Sequence, residues 1–380
     1  MINRKLEGII KNRIASKKAI IVLGPRQTGK TTLIEKISSA RGDYLILDGD
    51  DPLVRMRLEN ANTEELRQII GKHHTVFIDE AQRIKNIGLS LKIIIDKIRP
   101  EQLFVSGSSS LELANEINEP LTGRKWEYML YPISWQELHE DIGYITALQQ
   151  LEQRIIFGFY PEVLTNKGDE IEILKQLTGS YLYKDLLRYR GIKKPEVIEK
   201  LLRALALQLG SEVSYNELSN LIQIDKNTVQ TYIDLLEKAF VVFRLQPLSR
   251  NLRSEISTSR KIYFYDNGVR NALISNFNPL ELRNDIGALW ENFLISERRK
   301  LLEYNRIFCN NYFWRTKHQQ EIDYIEERSG KLYAFEFKWN PKKKPGFSKS
   351  FLTAYENVET KIINRDNFQE FLISDKANNA

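Results

Sequence analysis

The eight residues Gly24-Pro25-Arg26-Gln27-Thr28-Gly29-Lys30-Thr31 constrain this chain more than any other stretch. They follow an apolar run, 20–23, and open a segment, 31–39, whose apolar residues recur at helical spacing. Strand, glycine-bearing loop and helix start, in that order, build a cradle for phosphate. The glycines let successive backbone N–H groups turn inward, and the helix N-terminus favours an anion. Lys30 can then reach the β- and γ-phosphates, the Thr31 hydroxyl can ligate Mg²⁺, and Thr32 completes the cradle. Such a loop needs a strand on one side and a helix on the other, which predicts an α/β fold with a parallel sheet. The strands expected are Ala19–Leu23, 44–47, 76–78, 103–105 and 126–130, separated by helices such as 31–39 and 90–98.

A second acidic motif supports this reading. Thr75-Val76-Phe77-Ile78-Asp79-Glu80 is an apolar strand ending in two carboxylates. In a parallel sheet that end lies on the edge where the phosphate loop must also lie. Asp79 is placed to hold Mg²⁺ through water, and Glu80 to orient and polarise an attacking water. The strand 103–105 runs into Ser106-Gly107-Ser108-Ser109-Ser110, whose hydroxyls, Ser108 among them, can meet the terminal phosphate or its water. Leu121-Thr122-Gly123-Arg124 precedes the last strand of this region. Arg124 is a candidate to stabilise charge on a transferring phosphoryl group, from its own chain or from a neighbouring copy.

At 380 residues the chain exceeds one ordinary core, and three regions are expected: 1–150, 151–255 and 256–380. No apolar run approaches the ~20 residues that span a bilayer. The N-terminus lacks the order of a signal peptide, and Cys309 is the only cysteine, which together suggest a cytoplasmic protein. The net charge of +6 is modest, but cations gather after the first region. One group is Lys184, Arg188, Arg190, Lys193, Lys194, Lys200 and Arg203; another is Arg244, Arg250, Arg253, Arg260 and Lys261. Either a solvated face or a phosphate-facing surface would explain them. His73, His74, His139 and His318 lack the spacing of a zinc site.

The middle region is mainly helical over 171–187 and 196–209. Two short helices follow, Tyr215–Ile222 and 227–238, joined by a polar turn and succeeded by a strand-like 240–245. Helix, turn, helix and ribbon is the order of a winged helix, with Lys226, Asn227, Thr228, Gln230 and Thr231 offered to a nucleic-acid duplex. In the last third, strands are expected at 261–265, 307–314, 321–326 and 332–339, with a helix over 286–302. On the strand 332–339, Glu336 and Lys338 share one face, and Asp323 lies across a hairpin, with Glu321 beside it. An Asp followed by Glu-x-Lys on the next strand can hold Mg²⁺ on its carboxylates while the lysine positions a water. Glu291, on the helix, is a candidate further acid.

These phrases together resemble the prokaryotic AAA-type ATPases that carry a C-terminal domain of unknown function with a restriction-endonuclease-like core. The likeness is carried by the phosphate loop, Phe77-Ile78-Asp79-Glu80-Ala81-Gln82, Ser106-Gly107-Ser108-Ser109, Leu121-Thr122-Gly123-Arg124 and Tyr131-Pro132-Ile133-Ser134. It continues through Gly158-Phe159-Tyr160-Pro161-Glu162 and Tyr183-Lys184-Asp185-Leu186-Leu187, with Phe159 standing where the pattern has a second glycine. The resemblance implies an ATP-binding P-loop domain, a helical and winged-helix middle, and an endonuclease-like α/β domain at the C-terminus. It implies ATP and Mg²⁺ as ligands but no substrate; DNA or another nucleic acid as a partner, and a homo-oligomer, are expectations from the residues themselves. The rival reading is a nucleotide-gated regulatory or scaffold protein that binds a protein partner and cuts nothing.

Overall fold

The protein is described from a computed structural model, covering residues 2–108, 117–181, 195–249, 260–343 and 346–373. Ser109, Ser110, the cations Lys184, Arg188, Arg190, Lys193, Lys194, Arg250 and Arg253, and the phrase 183–187 lie outside the described residues. The chain divides into two compact units, residues 1–133 with 238–240, and residues 134–237 with 241–380. No helix among the described residues is long and apolar enough to cross a membrane.

The first unit is built on five strands, Ala19–Leu23 (β1), Tyr44–Asp48 (β2), Thr75–Asp79 (β3), Gln102–Gly107 (β4) and Lys125–Met129 (β5). All pair in parallel, in the order β2-β3-β4-β1-β5. Strands β1, β3 and β4 are buried along their whole length, as expected where helices cover both faces of a parallel sheet. Their sequences are accordingly continuous apolar runs rather than alternating ones. This order makes β1, β3 and β4 near neighbours, so their C-terminal ends open onto one common edge. Two helices that the apolar pattern did not reveal, Pro52–Leu58 and Thr63–Ile70, start on side-chain caps. Asp51 accepts from Leu53 N at 2.7 Å, and Asn62 and Glu65 form a reciprocal capping box.

Among the described residues the second unit carries seven strands, Glu212–Val213 (β6), Val242–Pro247 (β7), Arg260–Phe264 (β8), Asn310–Arg315 (β9), Glu321–Arg328 (β10), Lys331–Phe337 (β11) and Val358–Ile363 (β12). They form one sheet in the order β12-β11-β10-β9-β7-β8-β6. Strands β9, β10 and β11 are antiparallel neighbours, and β12 joins β11 in parallel after the short helix Lys349–Ala354. The 19-residue helix Ile286–Tyr304 brings Trp290 and Phe293 into an aromatic cluster with Trp135 and Phe368. Trp314, Ile322, Ile325, Leu332, Ala334 and Phe351 make a separate apolar cluster. Upstream, the helices Pro195–Leu207, Tyr215–Ile222 and Lys226–Lys238 lead into β7, which pairs antiparallel with β8, and β6 closes on the far side of β8.

Asp266 is the hub that fixes the turn at Phe159. Its buried carboxylate accepts from Phe159 N at 2.7 Å and Val269 N at 3.2 Å. Gly158 carries the positive φ of 72° and lies so close that any side chain there would strike Asp266. The turn needs only that one glycine. Phe159 fills space instead, its buried ring stacking on Phe293 at 6.0 Å.

The cationic stretch 244–261 does not make a phosphate-facing surface through Arg244 or Lys261. Arg244 is drawn into ion pairs with Asp234, at 2.7 Å, and with Glu237. Lys261 is buried against carboxylates, and Arg260 lies over the Tyr215 ring at 5.3 Å.

Candidate functional site

At the common edge of the first sheet, the phosphate loop leaves β1 under tight steric control. A Cβ on Gly24 would fall 2.1 Å from the carbonyl oxygen of Leu130, so the loop can run beside the end of β5 only with glycine there. Gly29, left-handed at φ 87°, caps the helix Lys30–Ser39. Thr28 is fully buried and its hydroxyl donates to the Pro25 carbonyl at 2.9 Å. Lys30 is 5% exposed, and its ammonium donates to the carbonyls of Gly24 and Pro25 at 3.0 and 2.8 Å. Arg26, Gln27 and Thr32 lie on the same loop and the helix it opens.

The acidic motif meets this loop directly. The Thr31 hydroxyl donates to Asp79 Oδ2 at 2.7 Å, although 48 residues separate the two. Asp79 is held on its other side by the Ser106 hydroxyl, which donates to Oδ1, and by Glu80 N at 3.0 Å. Glu80 follows in the left-handed region, φ 45° and ψ 42°, which turns its side chain off the strand direction. Its carboxylate accepts from the Gln82 amide and, at 3.1 Å, from the Ser108 hydroxyl. Gln82 also donates to Ser108 at 2.9 Å. A hydroxyl and a carboxylate side by side, facing a phosphate cradle, match the sparse donor set that Mg²⁺ takes beside phosphates and water, so the residues present fit that ion. Ser106 and Ser108 thus face the two carboxylates. Sequence reasoning quoted Gln82 only within the phrase that carries the resemblance and gave it no role. It also missed Arg4, which donates to the Thr28 carbonyl at 2.7 Å and the Tyr131 carbonyl at 2.6 Å.

Arg124 is not brought to this edge. It sits immediately before β5, and its carbonyl accepts from Ala19 N at the start of β1. Four strand rises of about 3.3 Å then separate it from the end of β1, where the loop begins, roughly 13 Å. There its guanidinium pairs with Asp96 at 2.8 Å. In this structure its guanidinium is thus engaged by Asp96 rather than by the loop.

The second unit gathers the other candidates. Lys338 contacts Glu336 at 3.0 Å and Asp323 at 3.5 Å, and Asp323 accepts from Phe337 N at 2.8 Å. The Glu-x-Lys pair is therefore not a surface ion pair: Glu336 is 7% exposed and Asp323 9%. Glu291 and Glu321 join through a residue that sequence reasoning counted only as surface charge, Lys261. It is 1% exposed, and its ammonium contacts Glu291 at 3.0 Å and Glu321 more closely still. The Tyr263 hydroxyl donates to Glu291 at 2.5 Å.

Burial pushes the Glu291 carboxyl up to about 7 against the pull of Lys261, and Asp323 adds to the rise. Burial and the neighbouring Asp323 likewise push Glu336 up to about 7. Burial works against the Lys261 ammonium, yet Glu291, Glu321 and Asp323 hold it above the usual lysine range. Four carboxylates, Glu291, Glu321, Asp323 and Glu336, thus share two ammonium groups, Lys261 and Lys338. Among the described residues no three His, Cys, Asp or Glu side chains are disposed to hold a metal together.

Comparison with known proteins bears on these sites unequally. Residues 16–139 match the model of an AAA domain, and residues 148–280 and 286–377 match two domains of unknown function, DUF8612 and DUF4143. An uncharacterized protein of Mycobacterium tuberculosis is 28% identical over 346 residues, covering 90% of this chain and 74% of that one. An uncharacterized protein of Methanocaldococcus jannaschii is 26% identical over 411 residues, covering 99% and 88%. Among solved structures, the Walker-type ATPase PABY2304 of Pyrococcus abyssi is 17% identical with a TM-score of 0.49, covering 72% of this chain and 96% of that one.

Proposed function

We propose that this chain, whose residues 16–139 are an AAA-type ATPase domain, hydrolyses ATP at the edge formed by β1, β3 and β4 and uses the turnover to control its C-terminal region. The observation that carries the reading is the 2.7 Å bond between Thr31 and Asp79, which joins the phosphate loop to the acidic strand end with Glu80 beside it. Lys30 would exchange its loop carbonyls for β- and γ-phosphate oxygens. Thr31 and Asp79 would hold Mg²⁺, which would supply charge neutralisation on the phosphates. Glu80 would take the proton of the attacking water once it leaves Gln82 and Ser108. The remote position of Arg124 supports action on a nucleotide held by a second copy, and hence a homo-oligomer. ATP turnover with and without Mg²⁺, in wild type and Asp79→Asn, tests the site. Turnover should require Mg²⁺ and fall at least ~100-fold in the variant; metal-independent turnover, or an active Asp79→Asn, would remove it.

For the C-terminal region the reading is a nucleic-acid-binding module on an endonuclease-like frame. What favours it is element order. The helices Pro195–Leu207, Tyr215–Ile222 and Lys226–Lys238, with the β6-β8-β7 ribbon, follow the winged-helix order, and Lys226, Asn227, Gln230 and Thr231 are exposed. The helix Ile286–Tyr304, three antiparallel strands, a helix and a parallel strand then frame Asp323, Glu336 and Lys338. Lys261 and Lys338 already engage these carboxylates, and binding rather than cleavage is the role assigned. Duplex affinity should fall steeply with salt, as counterion release requires. A salt-independent association would favour the rival, a scaffold for a protein partner.

A further inference from the structure

We infer that Arg4 is a positioning residue of the phosphate loop, one that orients an amide toward the nucleotide rather than touching it. The inference rests on the ATP reading above. Arg4 stands at the N-cap of the helix Lys5–Lys11 but caps nothing with its side chain. Its guanidinium instead reaches across the sheet edge. One nitrogen donates to the Thr28 carbonyl at 2.7 Å, and another to the Tyr131 carbonyl, just past β5, at 2.6 Å. Two fixed points therefore meet in one planar fork, one on the loop and one on the sheet.

The consequence follows from peptide geometry. In a planar trans peptide the carbonyl and the next N–H point in opposite directions. The Thr28 carbonyl is held outward by Arg4, so the N–H of Gly29 is turned the other way, into the loop that receives phosphate. Gly29 sits at φ 87°, and a glycine peptide is the one most free to rotate. A charge-assisted bond on that carbonyl is what opposes the rotation.

Arg4 is itself held in place from its own helix. Leu6 and Ile10 are buried, and Glu7 pairs with Lys36 of the loop's helix at 2.7 Å. The N-terminal helix is thereby pinned to the helix that the loop opens.

Binding of MgADP and of inorganic pyrophosphate, measured by calorimetry beside steady-state ATPase, tests this in the full chain. Arg4→Ala should weaken both ligands at least ~10-fold, raise KM for ATP by the same factor, and leave kcat within about threefold. Arg4→Lys, which keeps one donor but loses the fork, should fall between. Glu7→Gln, which loosens the helix without touching Arg4, should bind both ligands within about twofold of wild type. Wild-type affinity in Arg4→Ala would overturn the inference alone. So would equal losses in Arg4→Ala and Glu7→Gln, because helix packing would then be the cause, or a loss confined to ADP. Failure of the folded wild-type chain to bind either ligand would overturn the ATP reading and this inference with it.

Discussion

Lys30 and Lys261 are both buried lysines at the heart of a candidate site, yet their surroundings prepare them for opposite tasks. Lys30 donates to the backbone carbonyls of Gly24 and Pro25. Carbonyl dipoles are good partners for an ammonium but poorer than phosphate oxygens, so an arriving triphosphate can displace them at a gain. Lys261 is gripped by Glu291 and Glu321, with Asp323 close enough to add to the field. An arriving ligand would have to separate buried opposite charges, and the cost is several times larger. A lysine near carboxylates is thus weak evidence of chemistry, whereas a lysine held by exchangeable dipoles on a glycine-bearing loop is strong evidence.

The comparison breaks most visibly under substitution of each lysine. Lys30→Ala should abolish ATP binding, a loss of at least ~100-fold by calorimetry, while the thermal stability of the chain changes little. Lys261→Met should do the reverse. It leaves buried carboxylates without their cation and should destabilise the second unit by about 3–5 kcal/mol in denaturant titration, with ATP affinity unchanged. A Lys261→Met protein as stable as wild type would show that the cluster tolerates an empty position.

A smaller effect sharpens the same contrast through pH. Glu291 and Glu336 titrate near 7 when folded against an ordinary value of 4.5. The folded state therefore binds more protons than the unfolded one between those values, so this contribution is full below about 4.5 and is lost as pH rises through about 7. Denaturation of the second unit should show less stability at pH 8 than at pH 5 from these groups. Glu291→Gln should flatten that slope; an unchanged slope would relieve Glu291 of the role. The smallest effect concerns Arg124. Arg124→Ala should slow ATP turnover about 10-fold or more with little change in ATP affinity. Adding Lys30→Ala chains, which bind no ATP but retain Arg124, should restore part of that rate if the arginine acts between copies.

Much of the nucleotide edge was legible because its signals are local. The apolar run Ala19–Leu23, the glycine-bearing loop and the acidic end of β3 each read correctly within a few residues, and a parallel sheet forces their ends together. What escaped depends on partners far apart in sequence. Arg4 belongs to no motif in the sequence, and only its bond to Tyr131, 127 residues away, sets it apart. Lys261 reads as surface charge until β8 is placed next to the helix bearing Glu291. Strand β12, Val-Glu-Thr-Lys-Ile-Ile, carries two charges in six residues and gives little apolar alternation, so its pairing with β11 was not foreseen. Arg124 is a candidate by residue type alone, and only strand register places it immediately before β5, level with the start of β1.

The central claim is that Glu80, beside the Thr31–Asp79 junction, drives hydrolysis while leaving binding to the loop. ATP affinity and turnover measured side by side in wild type and Glu80→Gln test it most directly. The amide keeps the shape of the side chain and lacks the base, so ATP should bind within about threefold of wild type while turnover falls by about 10²-fold or more. Undiminished turnover in Glu80→Gln, or affinity that falls in step with turnover, would contradict the account.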